Sequence, residues 1–161
     1  MNKRKSLRRN ILIAIVALLI ALQFMHPARN ESNTVTSKDI TMLYTVPDSV
    51  QLILQKACYD CHSSNTRYPW YFNVQPVAWW MNDHIEDAKR ELDFSDFGSR
   101  PPQKQIKKMK ATAREVAKGD MPLNSYTLIH KDAILTEREK AIIIAWANNT
   151  ADTIANRNGI K

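Results

Sequence analysis

Glycine is scarce in this chain: only Gly98, Gly119 and Gly159 occur in 161 residues. They lie too far apart for a phosphate-cradling loop or a dinucleotide-binding fingerprint, so P-loop and Rossmann chemistry are excluded. The length suits one compact domain with an appendage and leaves no room for two ordinary catalytic domains. Strand signals are weak throughout, and cysteine is limited to two residues.

Charge is not scarce, but its distribution matters more than its total. The formal net charge is +7, which alone would suggest a nucleic-acid binder. Lys3, Arg4, Lys5, Arg8 and Arg9 carry +5 of it within ten residues, and the remaining 18 basic residues meet 16 acidic ones. A near-neutral body behind a basic N-terminal cluster points to membrane topology and away from phosphate-backbone binding, so no nucleic-acid partner is expected.

An apolar run from Ile11 to Met25 follows the cluster. A basic segment followed by an apolar one is an export signal or a membrane anchor. As a helix, its 15 residues would span about 22 Å against a hydrocarbon core of about 30 Å, so length leaves the choice open. Neither Ala21, with Leu19 two before it, nor Ala28, with His26 two before it, completes a small-X-small cleavage site. An uncleaved anchor is therefore favoured over a cleaved signal. Arg8-Arg9 reads as part of an ordinary basic segment. The expected location is an inner-membrane anchor with the body outside the cytoplasm, in the periplasm.

The expected organisation is an anchor or signal segment over 1–25, a flexible linker over 26–44, a helical domain over 45–149 and a polar tail over 150–161. The domain's first helix opens at Pro47-Asp48 and carries Val50, Ile53, Leu54 and Ala57 at helical spacing. A second follows Pro76, with Val77, Trp80, Met81, His84, Ile85, Ala88 and Leu92 on one stripe. A third begins near Pro101-Pro102 and stops at Gly119. The fourth opens on the capping box Thr136-Glu137-Arg138-Glu139.

Both cysteines fall in Cys58-Tyr59-Asp60-Cys61-His62. Cys-X-X-Cys-His is the attachment signature of c-type haem. On one helical turn, thiols three residues apart reach two vinyl groups on one edge of a porphyrin, and the following histidine can place a ring nitrogen on the iron. A redox Cys-X-X-Cys would need a βαβ setting, and a structural zinc site would need a fourth ligand and normally a second cysteine pair. A plain disulfide leaves His62 without a role. One covalently bound haem c is therefore the expected cofactor.

Met121, His84, His130, Met81 and Met109 compete for the sixth iron position. Met81 and Met109 lie on apolar helical stripes, where methionine usually fills core. His84 is flanked by Asp83 and Asp87, and His130 lies in a polar loop. Met121 follows the helix stop Gly119-Asp120 and precedes Pro122, which favours an extended approach to a flat cofactor. It is the preferred ligand.

In chain order the sequence resembles a class I, single-haem cytochrome c: a helix into the attachment motif, the loop Gly119-Asp120-Met121-Pro122, and a capped C-terminal helix ending at Trp146. More closely, Asn65-Thr66-Arg67-Tyr68-Pro69-Trp70-Tyr71, Gln75-Pro76-Val77-Ala78-Trp79-Trp80 and Met121-Pro122-Leu123-Asn124-Ser125-Tyr126 resemble the bacterial haem-binding domain family from Val46 to Asn149. The resemblance implies an all-α, cytochrome c-like fold behind an N-terminal hydrophobic helix, with His62 and Met121 as axial pair and Cys58 and Cys61 as thioether donors. Either Arg67, Tyr68 and Trp70 donate hydrogen bonds to the haem propionates, or Tyr68, Trp70 and Tyr71 wall off the haem edge.

The expected function is electron transfer by a non-enzymatic carrier that meets redox partner proteins, after loading by the cytochrome c maturation machinery. The alternative is a ligand-binding or peroxidase-like haem protein with an open or weakly held sixth site.

Overall fold

The computed structural model describes residues 2–32 and 34–160. The chain is helical and, among the described residues, contains no strand beyond an isolated bridge between Glu31 and Asn65. Eight α-helices are described: α1 (Asn2–Leu22), α2 (Ile40–Leu43), α3 (Asp48–Ala57), α4 (Tyr59–His62), α5 (Val77–Glu91), α6 (Pro102–Lys118), α7 (Asn124–Thr127) and α8 (Glu137–Arg157). The all-α class expected from the sequence is therefore observed.

The residues divide into two compact units, Met1–Arg29 with Arg67–His84, and Asn30–Thr66 with Ile85–Lys161. In the first, Gln75 donates from its backbone to the Gln23 side chain at 2.9 Å and from its own amide to the Met25 carbonyl at 2.7 Å. The Trp79 indole donates to the same carbonyl at 2.9 Å. Phe72 and Ala78 are buried there.

The anchoring expectation for this unit needs correction. No helix among the described residues is long and apolar enough to cross a membrane. The reason lies in α1: its first two turns hold Lys3, Arg4, Lys5, Arg8 and Arg9. The 13 residues that remain from Asn10 to Leu22 rise only about 20 Å, well short of a hydrocarbon core of about 30 Å. An N-terminal hydrophobic membrane helix, and with it the inner-membrane and periplasmic placement, is not supported.

The second unit holds the larger core. On α3, Val50, Ile53, Leu54 and Ala57 are all buried, as their i, i+3, i+4, i+7 spacing requires. On α6, Pro102 occupies the first turn, Met109, Ala113 and Val116 point inward, and the helix ends where Gly119 takes φ 79°. The α8 capping box is complete: Thr136 Oγ1 accepts from the Glu139 backbone N–H at 3.3 Å, and the Glu139 carboxylate accepts from the Thr136 backbone N–H at 2.9 Å. Such a cap contributes about 1 kcal/mol. α6 and α8 form the most extensive pairing, bringing Met109 and Val116 into one core with Ile143, Trp146 and Ala147.

Two segment boundaries differ from expectation. α8 does not end near Asn149; it continues to Arg157 because Thr150, Ala151 and Ile154 are buried. The segment read as a linker is tied down at Asn30 and again at Ile40. Asn30 donates to the Ser63 carbonyl at 2.8 Å and to Thr66 Oγ1 at 2.9 Å, and Ile40 is fully buried. Asn33 of that segment and Lys161 of the tail lie outside the described residues.

Candidate functional site

The attachment motif begins where α3 ends. Cys58 caps α3 by donating its backbone N–H to the Leu54 carbonyl at 2.9 Å, and its φ of −129° turns the chain into α4. The Cys58 carbonyl then accepts from Cys61 at 3.2 Å and His62 at 2.9 Å. One helical turn thus places Cys58, Cys61 and His62 at i, i+3 and i+4, as the sequence spacing implied.

His62 is held by the end of α5 and the residue beyond it. Its Nδ1 lies 2.9 Å from the Leu92 carbonyl oxygen and 3.1 Å from that of Ala88. Carbonyls only accept, so Nδ1 carries the proton and Nε2 keeps its lone pair. Burial pushes His62 below the ordinary imidazole range, against the opposing pull of these two hydrogen bonds and of Asp93 and Glu91. A neutral imidazole with Nδ1 anchored and Nε2 open is the form that ligates a metal.

Both cysteines are free thiols. Burial, then the neighbouring Cys61, pushes Cys58 up to about 12. Burial, then the Asp60 carboxylate, pushes Cys61 up to about 11.

Cys58 and His62 line a cavity of about 340 Å³ in the second unit, together with Leu92, Phe94 and Met121. That volume lies within the roughly 300–1,000 Å³ of small-molecule sites. α6 supplies another wall: Lys108, Ala111, Thr112 and Glu115 repeat at i, i+3, i+4, i+7, with small side chains in the middle. Two ion pairs mark the charged rim, Lys108 to Glu91 at 2.6 Å and Arg114 to Glu115 at 2.7 Å. The Lys108 ammonium holds the Glu91 carboxyl below the usual carboxylate range.

Met121 reaches this cavity from the turn after α6. Its backbone N–H donates to the Glu115 carbonyl at 3.3 Å, beside that of Asp120 at 3.0 Å, and the Met121–Pro122 peptide is cis. The side chain is half-buried against the core. Among the candidates for the sixth position, Met121 lines the cavity with His62, whereas His84, His130, Met81 and Met109 do not. Met109 is fully buried in the core. His84 is exposed, with Nδ1 2.8 Å from the Trp80 carbonyl. His130 stacks on Tyr126 at 4.3 Å between ring centroids. Met81 is half-buried in the first unit.

Arg67, Tyr68 and Trp70 belong to the first unit and are not among the residues lining the cavity. Tyr68 packs on Phe72 with ring centroids 4.0 Å apart, beneath the Arg29 guanidinium. Trp70 is 78 % exposed with its ring set edge-on to Tyr71, and Arg67 is exposed.

Three contributors escaped the sequence reading. The α6 wall was visible as a second stripe beside the buried one, small at Ala111 and Thr112. The Leu92 carbonyl carries no side-chain signature. The third is a hydrogen bond from the Tyr126 hydroxyl to Asp60 Oδ2 at 2.6 Å, which joins groups 66 residues apart.

A porphyrin suits this donor set: an imidazole with Nε2 open, a thioether sulfur and a thiol share one largely apolar cavity, and a second thiol lies on the same turn. Among the described residues, no group of three or more His, Cys, Asp or Glu side chains could hold a metal ion by itself, so the zinc alternative has no ligand set there. No curated protein and no solved structure matches the chain. The sequence profile of the haem-binding domain family matches residues 17–149, most of the chain. The turn of Cys58, Cys61 and His62 and the cavity both lie within those residues, and the chain belongs to the haem-binding domain family.

Proposed function

We propose that this chain is a single-haem, c-type electron carrier with a cytochrome c-like helical wrapper, Cys58 and Cys61 as thioether donors, and His62 and Met121 as axial ligands. The observation that carries the reading is the anchored His62 ring, which lines one cavity together with Met121. Cys58 and Cys61 would hold the haem by adding across its vinyl groups, sulfur to one carbon and hydrogen to the other, so nothing would leave and no oxidant would be consumed. When bound, the haem supplies a one-electron ferrous/ferric couple.

The rest is done by the chain. Leu92 and Ala88 fix the His62 tautomer through their carbonyls. Leu92, Phe94 and Leu135 exclude water from the cavity walls, and the Met121 thioether would raise the potential of a haem held there. Thiol addition calls for the maturation machinery of c-type cytochromes, and a carrier of single electrons calls for redox partner proteins.

Two measurements test the proposal. Haem should stay on the chain through a denaturing gel, and Met121→Ala holoprotein should bind carbon monoxide promptly in the ferrous state where the parent does not. Haem that runs free of the chain overturns covalent attachment. An unchanged spectrum in Met121→Ala overturns the sixth ligand.

A further inference from the structure

The geometry points to Tyr126 as a positioning residue that, through its hydrogen bond to Asp60, holds the Met121 loop against the attachment turn and so sets how firmly the sixth iron position is closed. The inference rests on Met121 being the sixth ligand, as proposed above.

His62 and Met121 lie 59 residues apart and belong to separate segments, the α4 turn and the loop after α6. Something must fix one against the other. On its N-terminal side the loop is hydrogen-bonded to α6, through the bonds of Asp120 and Met121 to the Glu115 carbonyl. On its C-terminal side, Leu123, Asn124, Ser125, Leu128 and Ile129 are exposed, whereas Tyr126 packs against the core.

From there the Tyr126 hydroxyl reaches Asp60 Oδ2 at 2.6 Å. Asp60 is 6 % exposed and sits between Cys58 and Cys61, on the turn that carries both thiols. A short hydrogen bond to a carboxylate is among the stronger kinds. The Asp60 backbone is braced in turn, its carbonyl accepting from Thr66 Oγ1 at 2.6 Å. Tyr126 thus joins the segment that carries the thioether to the turn that carries the thiols and the imidazole.

Removing the hydroxyl leaves the stacking of the ring on His130 and the bonds of Met121 to Glu115 in place. The loop stays folded but loses its tie. The test uses haem-loaded parent, Tyr126→Phe, Asp60→Asn, the double variant and Met121→Ala, titrated in the ferric state with imidazole. Tyr126→Phe should bind imidazole about tenfold more tightly than the parent, with a lower midpoint potential and a weaker sulfur-to-iron charge-transfer band, because the thioether is displaced part of the time. Asp60→Asn should shift affinity in the same direction, and the double variant should go no further than the stronger single one.

Affinity in Tyr126→Phe within twofold of the parent, with Met121→Ala clearly tighter, overturns the inference and leaves Met121 as ligand. Independent effects that multiply in the double variant overturn it too. If Met121→Ala itself matches the parent, the ligand assignment fails first. Should Tyr126→Phe not load haem, Asp60→Ala, which removes the acceptor, decides: unchanged imidazole affinity there overturns the tie.

Discussion

The His62 ring is turned by Leu92: Nδ1 lies 2.9 Å from that residue's carbonyl oxygen, one position beyond the end of α5. A backbone acceptor cannot be removed by substituting its side chain, so the orientation of His62 is built into the path of the chain. Deleting the ring is the direct test. His62→Gly should retain haem through Cys58 and Cys61 but lose its parent spectrum, and imidazole in the buffer should restore a six-coordinate spectrum. Absorption spectroscopy checks this, and a parent-like spectrum in His62→Gly without added imidazole would count against the ligand.

The thiols should be slow nucleophiles in the folded, haem-free protein. With Cys58 pushed up to about 12 and Cys61 to about 11 by burial, the thiolate fraction at pH 8 is small. Alkylation by iodoacetamide should run about 100-fold slower than in denaturant, accelerating only as pH approaches 11. Equal rates in the folded and denatured protein would contradict this.

Met109 and Met121 should separate stability from spectrum. Met109 is fully buried among the residues of α6 and α8, so Met109→Ala should cost roughly 2–5 kcal/mol while leaving the holoprotein spectrum intact. Met121→Ala should do the reverse, with the spectrum altered and stability less affected. Denaturant unfolding followed alongside absorbance distinguishes them.

The ion pair of Lys56 with Glu139, 2.6 Å long and partly buried, should show in the acid limb of stability. Lys56 first, then the Thr136 backbone N–H, holds the Glu139 carboxyl below the usual range. A lowered carboxyl pKa stabilises the fold above the unfolded value of about 4.3 and loses that contribution as pH falls through the folded value. Lys56→Met should therefore lower stability by about 0.5–1 kcal/mol at pH 7, with little difference left at pH 3. Thermal melts at the two pH values measure it.

What could be read from the sequence was local. Pro102 and Gly119 bracket α6, and Thr136 with Glu139 starts α8, because each signal acts within a few residues of the end it marks. That Cys58, Cys61 and His62 share one helical turn was equally legible, because their spacing is itself local. The end of α8 was not: Thr150, Ala151 and Ile154 are buried by tertiary packing, and a polar-looking tail conceals it. Asn30 reads as linker until its bonds to Ser63 and Thr66, more than thirty residues away, are seen. The basic cluster was correctly located, but as part of α1 it shortens the apolar stretch below what a membrane requires.

The turn that delivers Met121 constrains one position in an unusual way. At Gly119, φ is +79°, yet a Cβ added there would meet nothing within 4 Å. Space is therefore not what keeps a side chain away from this position. An L-residue would have room but the wrong handedness for the backbone, at a cost of about 1–2 kcal/mol, whereas a residue of D configuration would find this torsion among its own favoured ones. The approach of the thioether to the cavity thus depends on a residue without a stereocentre, and a semisynthetic protein with D-alanine at 119 should keep the turn that L-alanine strains.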